Sequence, residues 1–182
     1  MPKKAIVILA EGFEETEAVT VIDILRRSKI NVTVAGLSGT TVRGSHNIAI
    51  ITDKKLDGTE QDHDCLILPG GMPGAGNLIA SKKVRSIITA MYQKGRVIAA
   101  ICAAPSVVLA PCGVLKGKAA TGYPGMEKGF GKETRREKKR VVVDGNIITS
   151  QGPSTAMQFA LAIAEKLAGK QTAQKVKKAV LA

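Results

Sequence analysis

Residues 96–105, Arg-Val-Ile-Ala-Ala-Ile-Cys-Ala-Ala-Pro, leave this chain few choices of local structure. Val97–Ile101 is a short apolar run of the kind that fills a strand buried on both faces, and Pro105 suits the first turn of a helix. The chain must therefore turn from strand to helix at Cys102. So sharp a corner needs small neighbours, which Ala100, Ala103 and Ala104 supply, and it lifts the corner side chain clear of the backbone. The same corner leaves backbone N–H groups of the helix start near the sulfur, where they and the helix dipole favour negative charge.

A free thiol with a pKa of about 8.5 is only about 3% thiolate at pH 7, and making about 90% available takes roughly 3.4 kcal/mol of differential stabilisation. One helix end supplies about a third of that. A second partner for Cys102 is therefore required elsewhere in the chain.

The 182 residues suit one domain spanning 1–182, and 45% hydrophobic content with alternating strand and helix patterns points to the α/β class. Aromatics make up 3% and Trp is absent, which argues against a stacking platform for single-stranded nucleic acid. Three Cys, an odd count, and no signal-like or membrane-length apolar run imply a reducing, cytoplasmic setting. The net charge of +12 admits a polyanionic partner, but no nucleic-acid-binding motif accompanies it. Residues 128–140 carry seven basic and two acidic side chains, and Lys166, Lys170, Lys175, Lys177 and Lys178 add a basic C-terminal face. Both read as solvated surface.

In chain order, Lys4–Leu9 reads as a first buried strand, and residues 14–28 as a helix with Ala18, Val21, Ile22 and Leu25 on one face. Of the three carboxylates in its first turn, Glu14 and Glu15 suit the positive helix end and face water. Glu17 borders the apolar stripe and points towards the carboxyl ends of the strands, the edge where sites form in open α/β sheets. Cys102 ends its strand at the same edge. A carboxyl buried there stays protonated and can donate to a thiolate, so Glu17 is either a partner for Cys102 or an ordinary residue of the first helical turn.

A strand follows at 30–35, and short edge strands at 41–51 contain His46, which reads as a surface or dimer-contact residue rather than a base. Residues 53–64 look like a polar loop, and 64–68 form a core strand whose Cys65 is an inert thiol. The stretch Pro69-Gly70-Gly71-Met72-Pro73-Gly74-Ala75-Gly76 lacks both the dinucleotide and the P-loop pattern, so it reads either as a plain tight turn or as an oxyanion hole of backbone N–H groups beside Cys102. Ser81 caps a helix over 81–93, residues 118–121 form a short strand, 126–140 are irregular, and Gly145-Asn146 joins a hairpin. Two helices close the chain at 154–167 and 173–181. No cofactor or metal motif is present.

Four motifs occur together and in order: Glu15-Thr16-Glu17, Leu68-Pro69-Gly70-Gly71, Ala100-Ile101-Cys102-Ala103-Ala104-Pro105, and Thr149-Ser150-Gln151-Gly152-Pro153. In these the chain resembles the ThiJ/PfpI superfamily, in its parkinsonism-associated deglycase branch and the bacterial, YajL-like members of it. The resemblance implies a flavodoxin-like three-layer sandwich with a mostly parallel central sheet, a homodimer, and Cys102 as the reactive thiol held by protonated Glu17. It also implies Gly70, Gly71 and Ala103 as backbone oxyanion donors, and places Arg27 near the dimer contact. Many relatives carry a His where this chain has Tyr123, which takes away the obvious Cys–His pair and makes peptidase activity an unsuitable reading.

The function so implied is a glutathione-independent glyoxalase or deglycase, acting on methylglyoxal, glyoxal or glycated side chains. The alternative is a redox-sensing chaperone whose Cys102 is oxidised to the sulfinic acid without significant turnover.

Overall fold

A computed structural model describes residues 2–182. Its centre is a seven-stranded sheet. In chain order the strands are β1 (Lys4–Leu9), β2 (Asn31–Gly36), β3 (Thr41–Arg43), β4 (Ala49–Ile51), β5 (Lys54–Lys55), β6 (Cys65–Leu68), β7 (Val97–Ile101), β8 (Ala119–Ala120), β9 (Arg135–Arg136), β10 (Val141–Asp144) and β11 (Ile147–Ser150). The helices are α1 (Glu15–Arg27), α2 (Gly74–Ala80), α3 (Lys82–Gln93), α4 (Ala156–Ala168) and α5 (Lys170–Ala179). The main sheet runs β10-β11-β7-β6-β1-β2-β5, with every pair parallel except β10 against β11.

The four central strands β1, β6, β7 and β11 are buried on both faces apart from Lys4, which is why they read as near-continuous apolar runs. From β1 the chain crosses to β2 on one side, whereas β6 and β7 follow on the other. Right-handed crossovers in opposite directions put their helices on opposite faces of the sheet. Thus α1 packs with α4, which in turn carries α5, on one face, and α2 packs with α3 and the turn after Cys102 on the other. The reversal at β1 and β6 opens a crevice at the carboxyl ends of the strands. This is a flavodoxin-like α/β sandwich.

Two small sheets lie outside the main one: the antiparallel pair β3–β4 and the parallel pair β8–β9. The outer edges of the main sheet are both short. One is the two-residue strand β5; at the other, Asp144 of β10 accepts the Ala119 N–H of β8 through its carboxylate. Among the described residues no helix is long and apolar enough to cross a membrane.

Four expectations need correction. The polar loop at 53–64 contains β5, which pairs with β2, and a 3-10 turn at Glu60–Asp62. The glycine-rich stretch is a loop only as far as Pro73, beyond which Gly74 starts α2. After Cys102 the chain forms no regular α-helix but a π-helical turn, Pro105–Leu109, closed by the Ala110 N–H on the Pro105 carbonyl at 3.0 Å. The basic segment is only partly irregular: β9 pairs with β8, and a 3-10 turn at Glu127–Gly129 packs on the π-helical turn.

Candidate active site

Three chain segments meet at the carboxyl edge of the sheet: the start of α1, the loop after β6, and the corner after β7. Cys102 occupies that corner with φ +63°, a left-handed conformation that costs a non-glycine residue about 1–2 kcal/mol. Its N–H donates to the Ser150 carbonyl of β11 at 3.0 Å, and its own carbonyl accepts the Tyr123 N–H at 2.8 Å. The corner is thus held by its neighbours on both sides. Gly70 fits against it because it has no side chain; a Cβ there would lie 2.5 Å from the Cβ of Cys102 and 2.9 Å from the Ile101 carbonyl oxygen. Gly71 adopts φ +87°, which turns the loop so that its N–H reaches the Cys102 sulfur.

Glu17 comes down from the first turn of α1 and is fully buried. Its Oε2 accepts the Gly70 N–H at 2.8 Å. Its Oε1 is buried with no hydrogen-bond partner, and the Cys102 thiol lies near enough for each group to alter the other's ionisation. Burial pushes the Glu17 carboxyl up to about 7, against the Gly70 N–H, which favours the carboxylate.

Burial and the Glu17 charge also push the Cys102 thiol up to about 12, against the Gly71 and Ala103 N–H groups. Desolvation thus opposes the ionised sulfur expected from the corner, while the two amide donors favour it. From near-neutral to alkaline pH the pocket holds one proton and one negative charge between the two groups. Handing the Cys102 proton to Glu17 makes a thiolate without adding charge to the pocket.

Gly70 is not the oxyanion donor expected of it. Its N–H is taken by Glu17, so it positions the acid rather than serving an oxyanion, which leaves Gly71 and Ala103 as the donors facing the sulfur. The arrangement is therefore a nucleophile, a buried proton carrier, and two amides able to receive a developing negative oxygen.

The sequence profile of the DJ-1/PfpI family matches residues 3–166. The chain belongs to the DJ-1/PfpI family. Within it, the chain is 46% identical to the protein dj-1beta of Drosophila melanogaster over 184 residues, covering 100% of this chain and 98% of that one. The crystal structure of Drosophila DJ-1beta matches with a TM-score of 0.95 over the same shares of the two chains. The oxidized DJ-1 of Toxoplasma gondii matches with a TM-score of 0.94 and 39% identity, covering 98% of each chain. The glutathione-independent glyoxalase DJR-1.2 of Caenorhabditis elegans is 33% identical over 169 residues, covering 92% of this chain and 90% of that protein.

Other residues singled out in the sequence lie apart from the sulfur. His46 is exposed and donates from Nδ1 to Glu15 Oε2 at 2.9 Å, while its backbone N–H reaches Glu15 Oε1 at 2.7 Å. Glu15 does not face water as expected: it is buried, clamps the β3–β4 turn, and is held down to about 2 in spite of its burial by His46 and the N–H groups around it. Arg27 pairs with Asp23 at 2.7 Å on exposed surface. It sits ten positions beyond Glu17 on α1, which places it ~15 Å along the helix from the acid. Tyr123 reaches the elbow through its backbone, and its side chain is exposed.

Two contributors were not visible in the sequence. Phe130, inside the basic segment, packs beside Gly122, where an added Cβ would stand 3.0 Å from its ring. Thr155 Oγ1 lies 2.6 Å from Ser150 Oγ and accepts the Gly152 N–H at 3.0 Å, which fixes the loop after β11. The capping-type Thr two residues past Pro153 was the available signal for the second; nothing local marked the first.

Proposed function

We propose that this protein is a cysteine-dependent glyoxalase and deglycase that works without glutathione on methylglyoxal, glyoxal or their early adducts. The observation that carries the reading is the buried carboxyl oxygen of Glu17 with no partner of its own beside the Cys102 thiol, with the Gly71 and Ala103 N–H groups on the sulfur. Ionised Glu17 takes the Cys102 proton, and the thiolate adds to the aldehyde carbon of methylglyoxal. The carbonyl oxygen gathers charge at the two amides and receives the Glu17 proton, giving a hemithioacetal. Glu17 then removes the hydrogen from the former aldehyde carbon and returns it to the adjacent ketone carbon through an enediol, leaving a lactoyl thioester. Water cleaves the thioester to lactate and restores the thiol. The aldehyde carbon is oxidised and the ketone carbon reduced, so no outside oxidant is needed. The activity for which the worm relative is named supports the same chemistry.

Purified protein should form lactate from methylglyoxal in thiol-free buffer, and Cys102→Ala should abolish it. Lactate formed equally by the variant would overturn the proposal. A redox-sensing chaperone is the second reading, favoured by the same amides and carboxyl, which would also hold sulfinate oxygens, and by the oxidized state of the Toxoplasma relative. Mass spectrometry after graded peroxide decides between them: selective oxidation of Cys102 without lactate production supports the sensor.

A homodimer fits the exposed apolar surface. Val19 follows Glu15 by one turn of α1, and Glu15 receives the Ile48 N–H, so Val19, Ile48 and nearby Ile51 of β4 extend across neighbouring surface. Ile51→Glu should convert the dimer to monomer in sedimentation, and an unchanged mass would dismiss this surface.

A further inference from the structure

A surface cleft of about 470 Å³ opens beside the elbow, lined by Tyr123, Pro124, Gln151, Gly152, Pro153 and Ser154. Both of its walls are tied to the nucleophile: the Tyr123 N–H is bonded to the Cys102 carbonyl, and the Gln151–Ser154 wall continues β11, whose Ser150 carbonyl takes the Cys102 N–H. The cleft is uncharged. In a chain with 27 Lys and Arg, four other surface depressions each include at least one charged side chain. Its faces are instead the half-exposed ring of Tyr123, two proline rings and a glycine, together with the neutral polar side chains of Gln151 and Ser154.

A volume in the range of 300–1,000 Å³ takes a group of many heavy atoms, whereas a three-carbon dicarbonyl fills only a corner of it. Gly152 keeps the space open. A Cβ there would touch the Tyr123 ring at 3.4 Å, and the extended backbone at this position, φ 167°, accepts any residue.

We propose that this cleft is a subsite for a neutral aryl substituent, so that the preferred substrates are aryl 2-oxoaldehydes, with Tyr123 as the specificity-determining residue. The inference rests on the glyoxalase reading. The aldehyde carbon lies at Cys102, and the ring on the ketone side stacks against Tyr123 between the two prolines. Phenylglyoxal and water give mandelate by the same internal hydride-equivalent shift that turns methylglyoxal into lactate. Atoms and electrons balance without a co-reactant.

The test compares kcat/KM for phenylglyoxal and methylglyoxal in the wild type, Tyr123→Ala, Tyr123→Phe and Gly152→Val. Phenylglyoxal should be preferred by roughly tenfold. The preference should fall about tenfold, mostly through KM, in Tyr123→Ala and Gly152→Val, and should persist in Tyr123→Phe. Methylglyoxal turnover with no phenylglyoxal preference, or with a preference untouched by Tyr123→Ala and Gly152→Val, overturns the subsite alone. Absence of any turnover overturns the glyoxalase reading, and calorimetry of Cys102→Ala with mandelate and lactate then decides the cleft. Mandelate binding about tenfold tighter supports it; equal or no binding removes it.

Discussion

Replacing Glu17 with Gln should make the protein more stable and much less active. A carboxyl moved by burial from 4.5 to about 7 is about 3 kcal/mol less favourable when ionised in the folded chain than in water. The amide introduced by Glu17→Gln would keep the acceptor for the Gly70 N–H and place a neutral donor where Oε1 now has no partner. Below pH 4.5 Glu17 is neutral in both folded and unfolded chains, so the wild type and Glu17→Gln should unfold alike. Between 4.5 and about 7 the unfolded chain releases a proton that the folded chain retains, and the wild type loses stability as pH rises. Above about 7 the gap is complete. For a chain of this length, about 3 kcal/mol corresponds to roughly 6–12 °C in Tm. Urea and thermal unfolding at about pH 4, 6 and 8 read the gap directly, and lactate production by the same samples should fall by about 10²–10⁴. A stability difference of the same size at all three pH values would refute the reasoning, since it would mean that the carboxyl does not titrate in a buried pocket.

Wild-type kcat/KM should rise with pH through about 7 as the Glu17–Cys102 pair sheds its first proton, and this inflexion should vanish in Glu17→Gln. Cys102→Ser, which keeps the shape but offers a far less acidic hydroxyl, should retain under about 1% of turnover in the lactate assay; near-full activity would exclude covalent catalysis by this residue. Gly70→Ala forces a Cβ to within 2.5 Å of the Cys102 Cβ and 3.0 Å of the Ala103 nitrogen, so it should cost about 1–3 kcal/mol in unfolding experiments and about 10²-fold in kcat. Glu15→Gln weakens the clamp on His46 and Ile48, and amide exchange at residues 44–48 should quicken about tenfold or more. In the wild type, because the Glu15 carboxyl is held down to about 2, its contribution should be present at neutral pH and disappear as pH falls from 4.5 through about 2.

The parts of the fold that the sequence made legible are those decided by residues close together in the chain. Val97–Ile101 and Lys4–Leu9 appear as strands with the limits their apolar runs suggest, and Ser81 caps α3 through a 3.4 Å contact from the Val84 N–H. Glu17 was legible because its position on α1 follows from helical periodicity. Its neighbour Glu15 was not, since its burial depends on a hairpin turn about 30 residues away folding over it. Gly70 was assigned to the wrong partner for a similar reason: a glycine-rich loop announces available N–H groups but not which acceptor reaches them first. The burial that opposes ionisation of Cys102 is not legible either, because helix-end electrostatics can be read from a corner, whereas the depth of a pocket cannot. The basic segment hid Phe130 and β9 behind its charge, and β5 is too short for any periodicity to show.

The two borders of the main sheet set a limit on how copies of this chain can assemble. A flank of only two lysines offers a newcomer almost no ladder, and electrostatic repulsion meets any second lysine-bearing flank. The opposite flank, β10, is shadowed by β8, which the Asp144 carboxylate ties to it through the Ala119 N–H. Fibril-like growth by strand addition is therefore disfavoured from either side, and self-association is steered onto side-chain surfaces of helices and the outlying hairpin, where it can stop at a closed number of subunits.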